Sequence, residues 1–85
     1  MSRLPAISGR QLIKLLQKGG WEIKRHAKHG KSLAKKFDDR TRVTVVRDSA
    51  DSMPIGTLRD ILGRQQTGLG ADGLLPLIRK HGIHQ

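Results

Sequence analysis

The 85-residue chain contains no cysteine, and Trp21 and Phe37 are its only aromatic residues among Phe, Trp and Tyr. Without cysteine, neither a disulfide framework nor a thiolate metal site is possible. Both aromatic residues lie in apolar patterns that predict burial. The base-stacking platforms of many single-strand-binding proteins need exposed aromatic rings, so the sequence argues against one here.

Long hydrophobic runs are also missing. No segment approaches the roughly 20 apolar residues that span a bilayer, and the N-terminal MSRLPAISGR lacks the apolar core of a signal peptide. We therefore expect a cytoplasmic protein with no membrane partner. The length predicts one domain, residues 1–85, with a small core.

Motifs for cofactors and metals are absent as well. The sequence has no glycine-rich phosphate loop after a strand, no zinc-ligand cluster and no paired carboxylates in a plausible pocket. His81 and His84 have a spacing that could bind metal, but a frayed C-terminal tail is the simpler interpretation. The sequence thus predicts neither a cofactor nor a metal.

Acidic residues are scarce, with 7 Asp and Glu against 17 Lys and Arg, which gives a net charge of +10. The excess is local: from Arg10 to Arg47 there are 12 basic and 3 acidic residues, whereas the rest of the chain has 5 and 4. Such asymmetry favours a polyanionic partner, with nucleic acid ahead of an anionic membrane. The alternative is that the positive charge keeps the protein soluble or binds an acidic protein partner.

The first predicted element is a helix from Gly9 to Lys18. Ser8 and Gln11 have the spacing of a capping box, and leucines and an isoleucine follow at helical spacing. The pair Gly19-Gly20 predicts the end of the helix, with Gly19 in the left-handed conformation.

The stretch from Trp21 to Val46 predicts three short antiparallel strands. Three pairs of apolar residues lie at even spacing, so that one face of each strand could be buried. These pairs are Trp21 and Ile23, Leu33 and Phe37, and Val43 and Val45. Polar turns are expected at 26–30 and 38–40.

Two further helices are predicted after a polar loop at 47–52. The first begins either with Pro54 in its first turn or with Thr57 as its cap, and the second is a short helix at 72–80 with Pro76 in its first turn. The predicted fold class is α+β: a three-stranded antiparallel sheet with helices on one face and the other face open.

Basic and imidazole side chains occupy the predicted solvent-exposed face of this sheet and its first turn. They form a surface suited to phosphate, although a solvated strand face is the alternative for each residue. The predicted nucleic-acid-binding residues are Lys24, Arg25, His26, Lys28, Lys31, Lys35 and Lys36.

Several segments in fixed order carry a family resemblance. These are LPAISGRQLIKLLQKGGWEIKR, a His at the turn between the first two strands, RVTVV, and MPIGTLRDIL. In this combination the chain resembles the HicA-type toxins of type II toxin–antitoxin systems, also called YcfA-like proteins, over about Leu4 to Leu62. Residues 63–85 would then be a C-terminal extension.

The resemblance implies a double-stranded-RNA-binding-domain-like fold of order α-β-β-β-α. It also implies a metal-independent endoribonuclease that cleaves mRNA with one catalytic His, and a HicB-type antitoxin as partner. The matching turn is Ala27-Lys28-His29-Gly30, so His29 is the predicted catalytic residue, with His26 as the alternative. Many members carry a further His after the third strand, where this chain has Arg47-Asp48-Ser49.

The chemistry of RNA cleavage agrees with a His in this role. When the 2'-OH is the nucleophile, the protein must supply a proton acceptor, and imidazole exchanges protons near neutral pH. Lys28, Lys31 and Arg25 could stabilise the charge that develops on the phosphate. The sequence does not identify the group that protonates the leaving 5' oxygen.

Two other functions fit the same sequence. One is a non-catalytic module that recognises duplex RNA by shape. The other is a DNA-binding regulator whose second helix enters a groove, although Arg59 and Arg64 are few bases for that purpose.

Overall fold

The computed structural model describes residues 6–28 and 30–82, and their fold confirms the predicted α+β class. The elements are α1 (Gly9–Lys18), β1 (Glu22–Ala27), β2 (Gly30–Lys36), β3 (Thr41–Val46), α2 (Ile55–Leu62) and α3 (Gly70–His81). The strands form an antiparallel sheet in the order β1-β2-β3. This arrangement is compatible with the double-stranded-RNA-binding-domain-like fold. In the described part of the chain, no helix is both long and apolar enough to cross a membrane.

Helix α1 has the predicted bounds and the predicted capping box. The Ser8 hydroxyl accepts from the Gln11 N–H at 3.1 Å, and the Gln11 side chain accepts from the Ser8 N–H at 2.9 Å. The prediction for Gly19 is wrong, because its φ is −84° and Gly20 has the left-handed φ of 96°. The N–H of Gly19 still bonds to the Leu15 carbonyl as in a helix, so the chain turns one residue later in a Schellman motif.

The buried face of β3 is opposite to the predicted one. Val43 and Val45 are 51% and 60% exposed, whereas Thr44 and Val46 are buried. Cross-strand pairing explains this, because Leu33 on the core face of β2 lies opposite Thr44. The hydroxyl of Thr44 is satisfied there, since it donates to the side-chain carbonyl of Gln66 at 2.6 Å.

The core lies between the sheet and the three helices. Its fully buried side chains come from nearly every element, so the helices and the sheet share one apolar cluster: Leu12 and Leu16 of α1, Leu33 of β2, Val46 of β3, Leu58 of α2 and Leu74 of α3. Trp21 is also buried and meets the half-buried Phe37 edge-to-face, with ring centroids 6.2 Å apart. Each fully buried Leu contributes about 1.5–3 kcal/mol relative to exposure.

The structure decides between the two predicted starts of α2, and it shows that α3 starts earlier than predicted. Helix α2 begins at Ile55 with Pro54 at its N-cap, so Thr57 lies inside the helix and is not its cap. Helix α3 begins at Gly70, and Pro76 lies in its interior instead of its first turn. Pro76 has no N–H to donate to the Asp72 carbonyl. Both residues are exposed, so that carbonyl can bond to water instead.

Candidate functional site

Two glycines bring three segments of the chain together at one end of the sheet. A Cβ on Gly30 would lie 2.7 Å from the Val46 carbonyl oxygen, and one on Gly9 would overlap the Arg47 carbonyl oxygen. The Arg10 N–H also donates to the Ser49 carbonyl at 3.1 Å. The loop after β3 is therefore held against both the N-terminus of α1 and the start of β2.

An open polar groove of about 360 Å³ lies at this junction, and we call it the cationic groove. Its charged and imidazole side chains come from β1, the β1–β2 turn, β2 and the loop after β3. The lining residues are His26, Lys28, Gly30, Lys31, Arg47, Asp48 and Ser49. His26 is exposed and lies opposite Lys31 on the neighbouring strand, so their side chains share one face of the sheet.

Asp48 is the acidic residue of the cationic groove. Its carboxylate accepts from Arg10 Nε at 3.2 Å and lies 3.4 Å from Lys31 Nζ. The hydrogen bond from Arg10 holds the pKa of Asp48 below its ordinary value; partial burial opposes this shift and Lys31 adds to it. Asp48 therefore stays ionised and fixes the position of the Lys31 ammonium.

A larger open groove of about 930 Å³ adjoins the first, and we call it the large groove. The two share Lys28, Gly30, Arg47 and Ser49. The remaining wall is mostly apolar and runs from β3 to α2. It includes Val45, Met53, Pro54, Thr57 and Ile61, together with Asp51.

His29, the predicted catalytic residue, lies outside the described residues. Lys28 and Gly30 precede and follow it in sequence, and both line the two grooves. The catalytic role of His29 stays a prediction. The alternative, His26, lines the cationic groove.

The seven predicted nucleic-acid-binding residues are not all brought together. His26, Lys28 and Lys31 line the cationic groove. Arg25 lies opposite Ser32, on the sheet face away from the helices, because a β-bulge between Ile23 and Arg25 shifts the pattern of faces in β1. RNA binding by each of the seven stays a prediction.

The other three lysines have different surroundings. Lys24 pairs with Glu22 at 2.8 Å, and this hydrogen bond lowers the pKa of the Glu22 carboxyl. Lys36 is exposed at the end of β2. Lys35 donates to the Gly19 carbonyl at 2.8 Å and lies 5.4 Å from the centre of the Phe37 ring. The Lys35 charge therefore sits at the C-terminus of α1, where it suits the helix dipole.

Sequence reasoning missed Arg10, Arg47 and Asp48 as parts of one site. Asp48 is 38 residues from Arg10 and 17 from Lys31, so no local pattern relates them. The sequence feature that could have indicated this site is the pair Gly9 and Gly30, whose lack of a side chain permits the close approach of the Val46–Arg47 backbone.

Comparison with protein families decides the identity. Residues 9–69 match the family model described as the HicA toxin of bacterial toxin–antitoxin systems. The chain belongs to the HicA toxin family. The match runs from the first residue of α1 to Leu69, so it includes Gly9, Gly30 and the loop that lines both grooves.

Membership makes this HicA protein the toxin of a toxin–antitoxin pair and implies an antitoxin partner. No curated protein and no solved structure gave a significant match to it. Among residues 6–28 and 30–82, the HicA chain brings together no group of three or more His, Asp or Glu side chains that could hold a metal ion.

Proposed function

We propose that this HicA toxin is a metal-independent endoribonuclease that cleaves mRNA at the cationic groove and so blocks translation as part of a stress response. His29 acts as the general base. The observation that supports the proposal most strongly is the meeting of Lys28, Lys31, Arg47 and an imidazole, His26, in one polar groove at the turn that contains His29.

The reaction needs a base, an acid and cations. The base removes the proton of the 2'-OH, the 2' oxygen bonds to the adjacent phosphorus, and the bond from phosphorus to the 5' oxygen breaks. The products are a 2',3'-cyclic phosphate and a 5'-hydroxyl, whose oxygen takes up a proton. Imidazole suits the first step because its ordinary pKa is about 6.5. A positioned base contributes about 10² to 10⁴ in rate.

The cations of the groove have separate tasks in this proposal. Lys31 is held by Asp48, so its ammonium is positioned before RNA binds. Preorganised positive charge stabilises the charge that develops on the phosphate oxygens more than mobile charge does. Lys28 and Arg47 are exposed and line both grooves, so they can bind the phosphates on either side of the cleaved bond.

We propose a HicB-type protein as the antitoxin. The charge of the toxin, +10, favours a partner that presents acidic side chains to the grooves. Such a partner would exclude RNA by covering Lys28, Lys31 and Arg47.

Cleavage of an mRNA transcript in the presence of a chelator tests the nuclease. Purified wild-type protein, His29→Ala, His26→Ala and a control, His81→Ala on α3, are compared for cleavage rate and RNA affinity. We expect His29→Ala to lose about 10² to 10⁴ in rate while RNA affinity is nearly unchanged. His81→Ala should keep the wild-type cleavage rate and RNA affinity, because His81 lines neither groove.

Each other result leads to a different assignment of the base or of the function. If only His26→Ala loses cleavage, the base is His26. If the wild type binds RNA without cleaving it, the protein is a non-catalytic RNA-binding module. A preference for duplex DNA over RNA would indicate a DNA-binding regulator.

A further inference from the structure

We propose that the large groove binds one unstacked RNA base next to the cleaved linkage, and that Asp51 reads this base with a preference for guanine. The inference deepens the proposed function and rests on it for RNA as the ligand. It concerns Asp51 and the wall between β3 and α2, which take no part in the proton transfers.

The composition of the large groove suits a nucleobase. Its wall contains Val45, Met53, Pro54 and Ile61, while Ser49, Ser52 and Thr57 supply hydroxyl groups. A volume of about 930 Å³ falls within the range of small-molecule sites, which combine apolar walls with a few polar groups. Sequence-specific RNA recognition targets unstacked bases, whose edges are read by hydrogen bonds.

The position of the large groove also fits a base. It joins the cationic groove along Lys28, Gly30, Arg47 and Ser49. The base and phosphate of one nucleotide are linked through a single ribose, so their binding sites must adjoin. A phosphate held by Lys28 and Arg47 would bring its nucleoside to the mouth of the large groove.

Asp51 supplies the selective group. It lines the large groove and is exposed, and within the described ranges it forms no ion pair. Its backbone N–H donates to the Ser49 hydroxyl at 3.1 Å, which ties it to the loop that forms both grooves. Asp48, in contrast, is already paired with Arg10 and Lys31.

A carboxylate at this place selects for hydrogen-bond donors. Asp51 would repel phosphate, so a nucleic-acid site gains nothing from it as a backbone contact. An ionised carboxylate only accepts hydrogen bonds, through two oxygens. Guanine presents two adjacent N–H donors on its Watson–Crick edge and can bond to both oxygens, whereas adenine, cytosine and uracil present donors beside acceptors there.

The test measures binding, so it does not depend on cleavage. Fluorescent pentanucleotides UUGUU, UUAUU, UUCUU and UUUUU with 2'-O-methyl riboses, which cannot be cleaved, are titrated with purified protein. We expect wild type to bind UUGUU about tenfold more tightly than UUAUU, as for one bidentate base contact. Asp51→Asn should lose this preference, while Asp39→Asn in the β2–β3 turn should keep it.

A second variant tests the groove itself. Thr57 is exposed in α2, and Thr57→Phe would fill the large groove from one side. Its affinity for UUGUU should fall to that for UUUUU.

The inference is overturned if wild type binds all four oligonucleotides equally, or if Asp51→Asn keeps the guanine preference. The nuclease assignment would survive either result, because cleavage of mRNA is measured separately. A protein that prefers guanine but does not cleave would have the base site without the proposed enzyme activity.

Discussion

The Cα of Gly9 faces the carbonyl oxygen of Arg47 so closely that a methyl group cannot fit between them. This approach joins the first turn of α1 to the loop that lines both grooves. The Arg10 N–H bond to the Ser49 carbonyl and the Arg10–Asp48 ion pair lie beside it. A substitution in the first turn of α1 should therefore shift the positions of Arg47 and Asp48.

Gly9→Ala should destabilise the protein. The added methyl group forces the Arg47 backbone to move, and overpacking of this kind costs about 1–3 kcal/mol of unfolding free energy. Gly56→Ala is the matched control, because Gly56 lies in α2 with open space around its Cα. Alanine there should stabilise by up to about 1 kcal/mol. Urea unfolding measures the unfolding free energy of both variants. Equal changes in that free energy would contradict the close contact between Gly9 and Arg47.

Asp48→Asn should lower stability in a pH-dependent way. The folded pKa of Asp48 lies below its ordinary value of 3.8, so the ionised form is stabilised in the folded state. That contribution is present above the unfolded pKa and is lost as the pH falls through the folded pKa. Urea unfolding at pH 6 and near pH 2 should show a wild-type advantage that disappears in acid. An advantage that is equal at both pH values would contradict the ion pairs.

Lys35→Met should lower mainly stability, and Lys28→Met should lower mainly RNA affinity. Lys35 bonds to the Gly19 carbonyl, so its replacement should cost about 1 kcal/mol of stability and little RNA affinity. Lys28 is exposed at the grooves, so its replacement should weaken RNA binding and reduce the salt slope by about 0.7, as for one lost single-strand phosphate contact. Thermal unfolding and RNA titrations at several salt concentrations measure both. If Lys35→Met lowers the salt slope as much, Lys35 contacts RNA.

Thr67→Val should destabilise the segment after α2. Thr67 is 2% exposed, and its hydroxyl donates to the Ile61 carbonyl at 2.8 Å and accepts from the Leu69 N–H at 3.3 Å. Valine keeps the shape but removes both bonds, at a cost of about 1–2 kcal/mol. Hydrogen exchange at Leu69 should rise in this variant. Thr67→Ser retains the hydroxyl and should protect that amide.

The elements with strong local signals were predictable from the sequence. The bounds of α1 follow from the capping box and the Gly-Gly pair, and all three strands were found. The buried face of β3 was not predictable from the sequence, because TRVTVV has a valine on either face. The pairing of Thr44 with Leu33 decides which face is buried. Helix α3 was predicted, but its start was placed too late because an interior proline is locally unfavourable, whereas the burial of Leu74 favours the longer helix.

The candidate site was only partly predictable, because some of its residues are far apart in the sequence. His26, Lys28 and Lys31 are near one another in sequence, so the basic turn indicated them. Arg10 and Asp48 meet only through the tertiary fold. The bulge between Ile23 and Arg25 decides which face of the sheet Arg25 and His26 each occupy, and no residue pattern in IKR marks it.

The family match ends at Leu69, yet Leu74 of α3 is completely buried in the same core as α1 and β2. We therefore expect a fragment cut at residue 69 to expose part of that core, although it would contain every residue that the family model describes. For expression and engineering of this toxin, a fragment should extend at least to the end of α3 at His81, 12 residues further along the chain.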